Sequence, residues 1–314
     1  MTRSKRKVAV GAFALLLGAG GAALVSHGRP ALVRRNWREC RKAEFAKQRM
    51  ASWPRVMLWA WERPEDLTAI RGGSYGVAFL AKTIYLVPGT GSKGQEKSGE
   101  TVLVRPRMQP LAVNPATPLM AVVRIETPAG LRAASYANET GQTLQYPGER
   151  VNRVVSEIEQ ASRLPGVSAV QIDFDAAASQ HEFYRQLLIE TRRRLKKETR
   201  LSITALASWC VGDRWLEELP DGTLDEAVPM LFRMGPGGTA VVRQLQRGEE
   251  FPVAVCRNSV GVSMDEPLSR DILARKFGNG NLQAGKRVYV FSPRSWTAES
   301  VPDVARGLTS SSTE

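Results

Sequence analysis

Residues 169–175 read Ala-Val-Gln-Ile-Asp-Phe-Asp, and their alternation of apolar and polar side chains has the period of two that a strand imposes. Gln171, Asp173 and Asp175 therefore share one face, and Val170, Ile172 and Phe174 share the other. An amphipathic helix precedes this strand, with Val151, Val154, Val155 and Ile158 at helical spacing. Another follows it, with Phe183, Leu187, Leu188 and Leu195 along one side. Ser179, three residues before Glu182, reads as the capping box that opens the second helix. Helix, strand and helix in alternation predict a parallel sheet covered on both faces.

The same reading along the chain gives eight strands: 56–61, 75–87, 119–126, 169–175, 201–208, 226–234, 253–257 and 287–292. Further helices fit between them, at Asp66 to Ile70, Asp213 to Leu219, Thr239 to Gln246 and Ser269 to Phe277, the last two stopped by Gly248 and Gly278. Eight strands with intervening helices in roughly 250 residues predict an α/β fold, a single-domain (β/α)8 barrel of the TIM type over residues 53–300. A doubly wound open sheet is the rival arrangement.

Charge changes the picture only at one end. The 314 residues carry a net charge of +13, but residues 1–50 hold 12 Lys/Arg against 2 Asp/Glu, or +10, leaving 32 against 29, or +3, for the other 264. The basic excess thus belongs to the N-terminal segment, and nucleic acid is not an expected partner of the barrel. Arg3, Lys5, Arg6 and Lys7 precede an uncharged apolar run from Val8 to Val25, at the lower limit for crossing a bilayer and longer than the usual core of a cleaved signal. Residues 1–27 are therefore expected to be a signal anchor or a signal peptide, and residues 28–52 a basic juxtamembrane linker. Positive charge before the run would put the barrel on the periplasmic side of the inner membrane, or export it if the segment is cleaved. Residues 301–314, rich in Ser and Thr near their end, are expected to be disordered.

Several chemistries are excluded by residue type. The chain has only two histidines, His27 beside the apolar run and His181 on the first turn of a helix, so a Ser-His-Asp or Cys-His engine is not expected. No paired cysteine spacing supports a metal site, so neither metal nor other cofactor is expected. Cys40, Cys210 and Cys256 are an odd set; Cys210 and Cys256 could meet near the barrel top, but two strands apart is ordinarily too far for a bond. Gly89, Gly91 and Gly94 match a dinucleotide spacing, yet the polar segment after them leads to an extended stretch at Thr101 to Arg105 instead of a helix, so they read as a hairpin loop.

Carboxylates, arginines and aromatics at strand ends remain. In a barrel of this type those ends converge on the active site. Asp173, Asp175 and Glu126 are the candidate catalytic groups; Trp59, Trp61, Glu62, Arg124, Trp209, Arg233 and Trp296 are the candidate substrate contacts. Tryptophan faces suit sugar rings, and carboxylates and arginines suit hydroxyls. Each has a plainer reading: Arg124, Glu126, Asp173 and Asp175 as an ion-pair network filling the barrel, the tryptophans as core, Glu62 as an acidic approach to the next helix. Arg233 interrupts the apolar run Val228 to Phe232 and calls for an anion, from the protein or from a ligand.

The strings LWAWERPEDL (58–67), VQIDFDA (170–176), LSITALASWC (201–210) and DEAVPMLFRMG (225–235) resemble the bacterial family known as domain of unknown function 3142. More distantly, an Asp-x-Asp strand end followed by Leu-Ser-Ile-Thr and Val-Pro-Met strands is similar to the chitinase-like glycoside hydrolase barrels, whose fourth strand ends in Asp-x-Asp-x-Glu. The resemblance places Asp173 and Asp175 on the two aspartates, while Ala177 stands where the proton-donating glutamate would be. With the N-terminal segment, the expected function is that of a cell-envelope barrel that acts on or binds a polysaccharide; glycoside hydrolysis usually needs two carboxyl groups flanking the bond, so Asp175 is expected to pair with a carboxylate of another strand, Glu126 or Glu62. A catalytically inactive barrel binding a glycan or a protein is the alternative. A cation-dependent sugar transferase through Asp173 and Asp175 fits an exported chain poorly.

Overall fold

Eight parallel strands close into a ring. In chain order they are β1 (Val56–Ala60), β3 (Tyr75–Val87), β6 (Leu119–Glu126), β7 (Val167–Asp173), β8 (Arg200–Leu206), β9 (Glu226–Met230), β10 (Ser259–Ser263) and β11 (Arg287–Phe291). Each pairs in parallel with its predecessor, and β11 pairs back onto β1. The computed structural model describes residues 41, 44–70, 75–87, 101–127, 148–235, 237–247, 249–267 and 286–297. The expected membrane segment 1–27, residues 28–40, the glycines 89–94, the helix expected at 269–277 and the tail 301–314 lie outside the described residues. Among those described, no helix is long and apolar enough to cross a membrane.

Alternation of side chains sorts the strands into two cores. Outward residues such as Leu58, Val123, Ile172 and Ile203 pack against the helices, whereas Met57, Trp59, Ala78, Leu80, Met120, Val122, Ala169, Val228 and Tyr289 fill the barrel. A bulge at Ala81 shifts the register of β3 against β6, after which Ile84 and Leu86 join the outer core. Gly261 belongs to the inner packing. A Cβ there would stand 2.8 Å from the Trp59 ring, so only glycine leaves the indole its place.

Helices cover the outside where the sequence asks for them. Helix α1 (Gly148–Ser162) buries Val151, Val154, Val155 and Ile158, and α2 (His181–Arg194) buries Phe183, Tyr184, Leu187 and Leu188. Each such side chain contributes about 1.5–3 kcal/mol by leaving water. Ser179 does not cap α2; it lies in a 3-10 turn, Ala178–Gln180, where the Gln180 side chain accepts the Ala177 N–H at 2.9 Å. Two further helices, α3 (Ala207–Val211) and α4 (Gly238–Gln246), follow β8 and β9. The segment expected as a helix from Asp213 is a 3-10 turn, Arg214–Glu218.

Three other expectations are corrected. The helix expected at Asp66 to Ile70 is instead β2 (Glu65–Leu67), paired in parallel with β5 (Leu111–Val113) and followed by a turn. The Asp66 carboxylate accepts the N–H of Thr68 at 3.1 Å and its hydroxyl at 2.6 Å, a local arrangement that competes with helix. The seventh ring strand is Ser259–Ser263 and not 253–257, where Ala254–Cys256 curls into a 3-10 turn. That turn brings Cys256 to Cys210 on α3, 5.9 Å between Cα atoms, and the two form a disulfide. The bond judged too long from strand spacing is short because neither cysteine is in a strand. The stretch at Thr101 does form β4 (Thr101–Pro106), antiparallel to β3.

At the N-terminal end of the strands the inner face is polar. Arg287 donates to Glu226 at 2.6 Å and to the carbonyls of Met50 and Pro54, Tyr289 donates to Glu226 at 2.6 Å, and Ser202 donates to it at 3.4 Å. Helical residues 44–50, read from sequence as the end of the linker, bury Ala46 and Met50 here, and Arg49 binds Asp225 at 2.8 Å. Gln171 continues the chain upward, donating to Ser202 at 3.1 Å and accepting the Trp59 indole N–H at 2.7 Å. A buried ion pair with every partner supplied leaves the other end of the barrel to hold the site.

Candidate functional site

The polar face of β7 rises from Gln171, deep in the barrel, through Asp173 at the strand's last position to Asp175 in the loop beyond. This is the face that alternation assigned to the three residues. Asp173 and Asp175 open into a cavity of about 480 Å³ at the C-terminal ends of the strands. Trp59, Trp61, Arg124 and Arg233 line the same cavity. Six of the ten residues singled out from sequence are thus brought together.

Asp173 is held from both neighbouring strands. Thr204 on β8 donates to it at 2.7 Å, and the Arg124 guanidinium on β6 stands 3.9 Å away. Its side chain keeps only 14% of its exposure. Burial first, and then the charge of Asp175, push its pKa up to about 6; Thr204 and Arg124 oppose that rise, and Glu126 adds to it. Asp173 therefore carries a proton part of the time near neutrality, while Asp175 is exposed at the rim.

Arg124 is shared. Its guanidinium pairs with Glu126 at 2.7 Å and lies over the Trp61 ring, 5.5 Å from the centroid. Glu126 consequently turns onto Arg124 and does not line the cavity. Trp61 meets Phe291 edge-on at 6.2 Å, and Phe291 lies parallel to Phe232 at 5.9 Å. These rings form an apolar wall beside the carboxylates.

Arg233, three residues past the end of β9, has a backbone φ of 50°, the one non-glycine in the left-handed region among the described residues. Its N–H donates to Glu266 at 2.7 Å, and its guanidinium lies 5.6 Å over Phe291 and 3.8 Å from Asp265.

The remaining expected contacts are elsewhere. Trp209 is buried on α3 against His181, Tyr184 and Trp215, because β8 ends at Leu206 and the helix turns the indole outward into the core. Trp296 is buried with its indole N–H on the Trp59 carbonyl at 2.8 Å, so it braces β1 and does not face a ligand. Glu62 accepts the Met108 N–H at 3.0 Å, and Arg105 stands 3.9 Å from it, both beside the β3–β4 hairpin. Thr204, Phe232 and Phe291 line the cavity without having been singled out. Strand parity was the signal for two of them: Thr204 follows Ser202 by two residues, and Phe291 follows Tyr289 by two.

No family model matches the chain, and no curated protein matches it. The kinship of its four strings with domain of unknown function 3142 therefore stays an expectation. Among solved structures, the chain is similar to a Streptomyces coelicolor protein designated chitinase A, at 11% identity and a TM-score of 0.44 over 82% of this chain and 96% of that one. It is also similar to the spore cortex-lytic enzyme SleL of Bacillus cereus, at 13% identity and a TM-score of 0.43 over 81% of this chain and 74% of that one. At these values the likeness carries nothing about chemistry or substrate.

Proposed function

We propose that the barrel acts on a polysaccharide of the cell envelope, hydrolysing a glycosidic bond laid across the end of β7. The observation that carries this reading is the pair Asp173 and Asp175, one partly protonated near neutrality and one exposed, in a cavity walled by tryptophan and phenylalanine. In the reaction, Asp173 in its acid form gives its proton to the glycosidic oxygen as the bond to the anomeric carbon breaks. One water adds its hydroxyl to that carbon and releases its proton to the Asp175 carboxylate. Arg124, held by Glu126, keeps the floor of the site from accumulating uncompensated negative charge. No metal or other cofactor enters this scheme.

The same reading puts the barrel outside the cytoplasm, tethered to the inner membrane by residues 1–27 or exported if they are cleaved. Two features support it: the uncharged run Val8 to Val25, and the disulfide of Cys210 with Cys256, a bond at home in an oxidising compartment.

Binding without turnover is the second reading. It is favoured by Ala177, which leaves the glutamate position of chitinase-like motifs empty of a carboxylate, and by the engagement of Glu126 with Arg124. Reducing-end release from a panel of envelope polysaccharides, measured with the parent, Asp173→Asn and Asp175→Asn, separates the two. Turnover lost about 100-fold or more in both variants, with affinity retained, supports hydrolysis. Tight binding with no release by the parent supports the second reading, and neither binding nor release overturns both.

A further inference from the structure

The two arginines of the cavity are differently engaged. Arg124 spends its charge on Glu126 at 2.7 Å. The Arg233 guanidinium makes no hydrogen bond among the described residues; its nearest acid is Asp265 at 3.8 Å, across a gap too wide for one, and its side chain keeps 63% of its exposure. Yet Arg233 is not loosely placed. The left-handed backbone and the N–H bond to Glu266 fix where the side chain begins, and its guanidinium lies 5.6 Å over the Phe291 ring. Left-handed backbone is unfavourable for arginine and cost-free for glycine, so a residue held there against that preference points to a task for its side chain.

We infer that Arg233 is a specificity determinant for an acidic polysaccharide, its guanidinium taking the carboxylate of a sugar unit bound beside the one at Asp173 and Asp175. This deepens the polysaccharide reading and rests on it. A planar guanidinium whose donors are unused among the described residues matches a carboxylate in two parallel hydrogen bonds. One such cation suits one negative charge, so a carboxylate fits better than a doubly charged phosphate ester. Asp265, exposed and 3.8 Å away, is readily replaced as the partner. The carboxylates of β7 repel an acidic group, and Arg233 follows β9, two strands along the ring. That polarity orients the sugar chain, with its acid toward β9 and its reacting bond toward β7.

The test is equilibrium binding of the full chain to short oligosaccharides offered in matched pairs: oligogalacturonate, oligomannuronate and a muramyl glycan strand, each against its carboxyl-esterified or amidated counterpart. In at least one pair the free acid is expected to bind about tenfold more tightly or better, the effect of a hydrogen-bonded charge. Arg233→Gly, which the left-handed backbone accepts without strain, is expected to bind both members alike and to unfold at the same temperature as the parent or higher. Arg233→Lys should keep part of the preference. Equal binding of acid and neutral members by the parent, or an acid preference that survives in Arg233→Gly, overturns the inference and leaves the polysaccharide reading standing. Failure to bind any member of any pair overturns the reading and the inference with it.

Discussion

Thr204 donates a 2.7 Å hydrogen bond to the Asp173 carboxylate across the pairing of β7 and β8, and that bond opposes the burial that would otherwise keep the acid protonated. Asp173 sits near a pKa of 6 because burial and the charge of Asp175 outweigh the opposing pull of Thr204 and Arg124. Thr204→Val keeps the shape and removes the donor. The pKa of Asp173 is then expected to rise by roughly one unit, since a hydrogen bond to a charged group is worth that much. Titration of the carboxyl carbon by NMR reads it directly; an unchanged midpoint would show that Thr204 does not bond the ionised form.

The same shift makes Asp173 a burden on the fold at neutral pH. Its pKa is raised from 3.8 to about 6, so between those values the folded state holds a proton that the unfolded chain has released. The favourable contribution is complete below about pH 4 and is lost as pH rises through about 6, a difference of roughly 2 to 3 kcal/mol. Asp173→Asn keeps an acceptor for Thr204 and removes the charge. It is expected to be more stable than the parent by that amount near pH 7, with the gap closing by about pH 4. Denaturant unfolding at the two pH values checks the sign, and a variant less stable than the parent near pH 7 would refute it.

The disulfide of Cys210 and Cys256 spans 46 residues of sequence, including all of β9 and α4. Closing a loop of that length in the unfolded chain is worth about 4 kcal/mol in the chain-entropy account. The doubly substituted Cys210→Ser, Cys256→Ser chain, or the reduced parent, is expected to lose about that much stability. Calorimetry with and without reductant measures it. Because α4 and the loop before it form one wall of the cavity, the loss should come with weaker ligand binding.

Much of this was legible in local pattern. β3 and β6 begin and end where the apolar runs at 75–87 and 119–126 do, and the inward face of β7 follows from alternation alone. The failures come from contacts distant in sequence. The strand Ser259–Ser263 carries Gly261 at its centre, where Trp59 leaves no room for a side chain, and serines at both ends, so only Val260 and Val262 mark it as a strand. The bulkier run 253–257 coils into a turn tied down by Cys256, a constraint set 46 residues away. Trp209 and Trp296 follow strands and are apolar, but whether an indole faces a cavity or a core depends on where each strand stops. Arg124 and Asp173 could be placed on adjacent strands, whereas the capture of Arg124 by Glu126 is a choice of rotamer that spacing does not encode.

Glu126 tests how the charges of the site divide their work. It pairs with Arg124 at 2.7 Å and raises the pKa of Asp173, while Arg124 lowers it from 3.9 Å. Glu126→Gln removes the first influence and frees the guanidinium to strengthen the second. Both changes act in one direction, so Asp173 should ionise at lower pH and the alkaline limb of a pH–rate profile should move down, with the maximal rate close to that of the parent. This is the behaviour of a positioning residue that works through Arg124. If Glu126 instead reaches the substrate as an acid or base, the same variant should lose about 100-fold or more in turnover at every pH, with no displacement of the profile. The two outcomes differ in which axis of the pH–rate plot moves, so one set of measurements decides whether the acid chemistry of the cavity belongs to β7 alone.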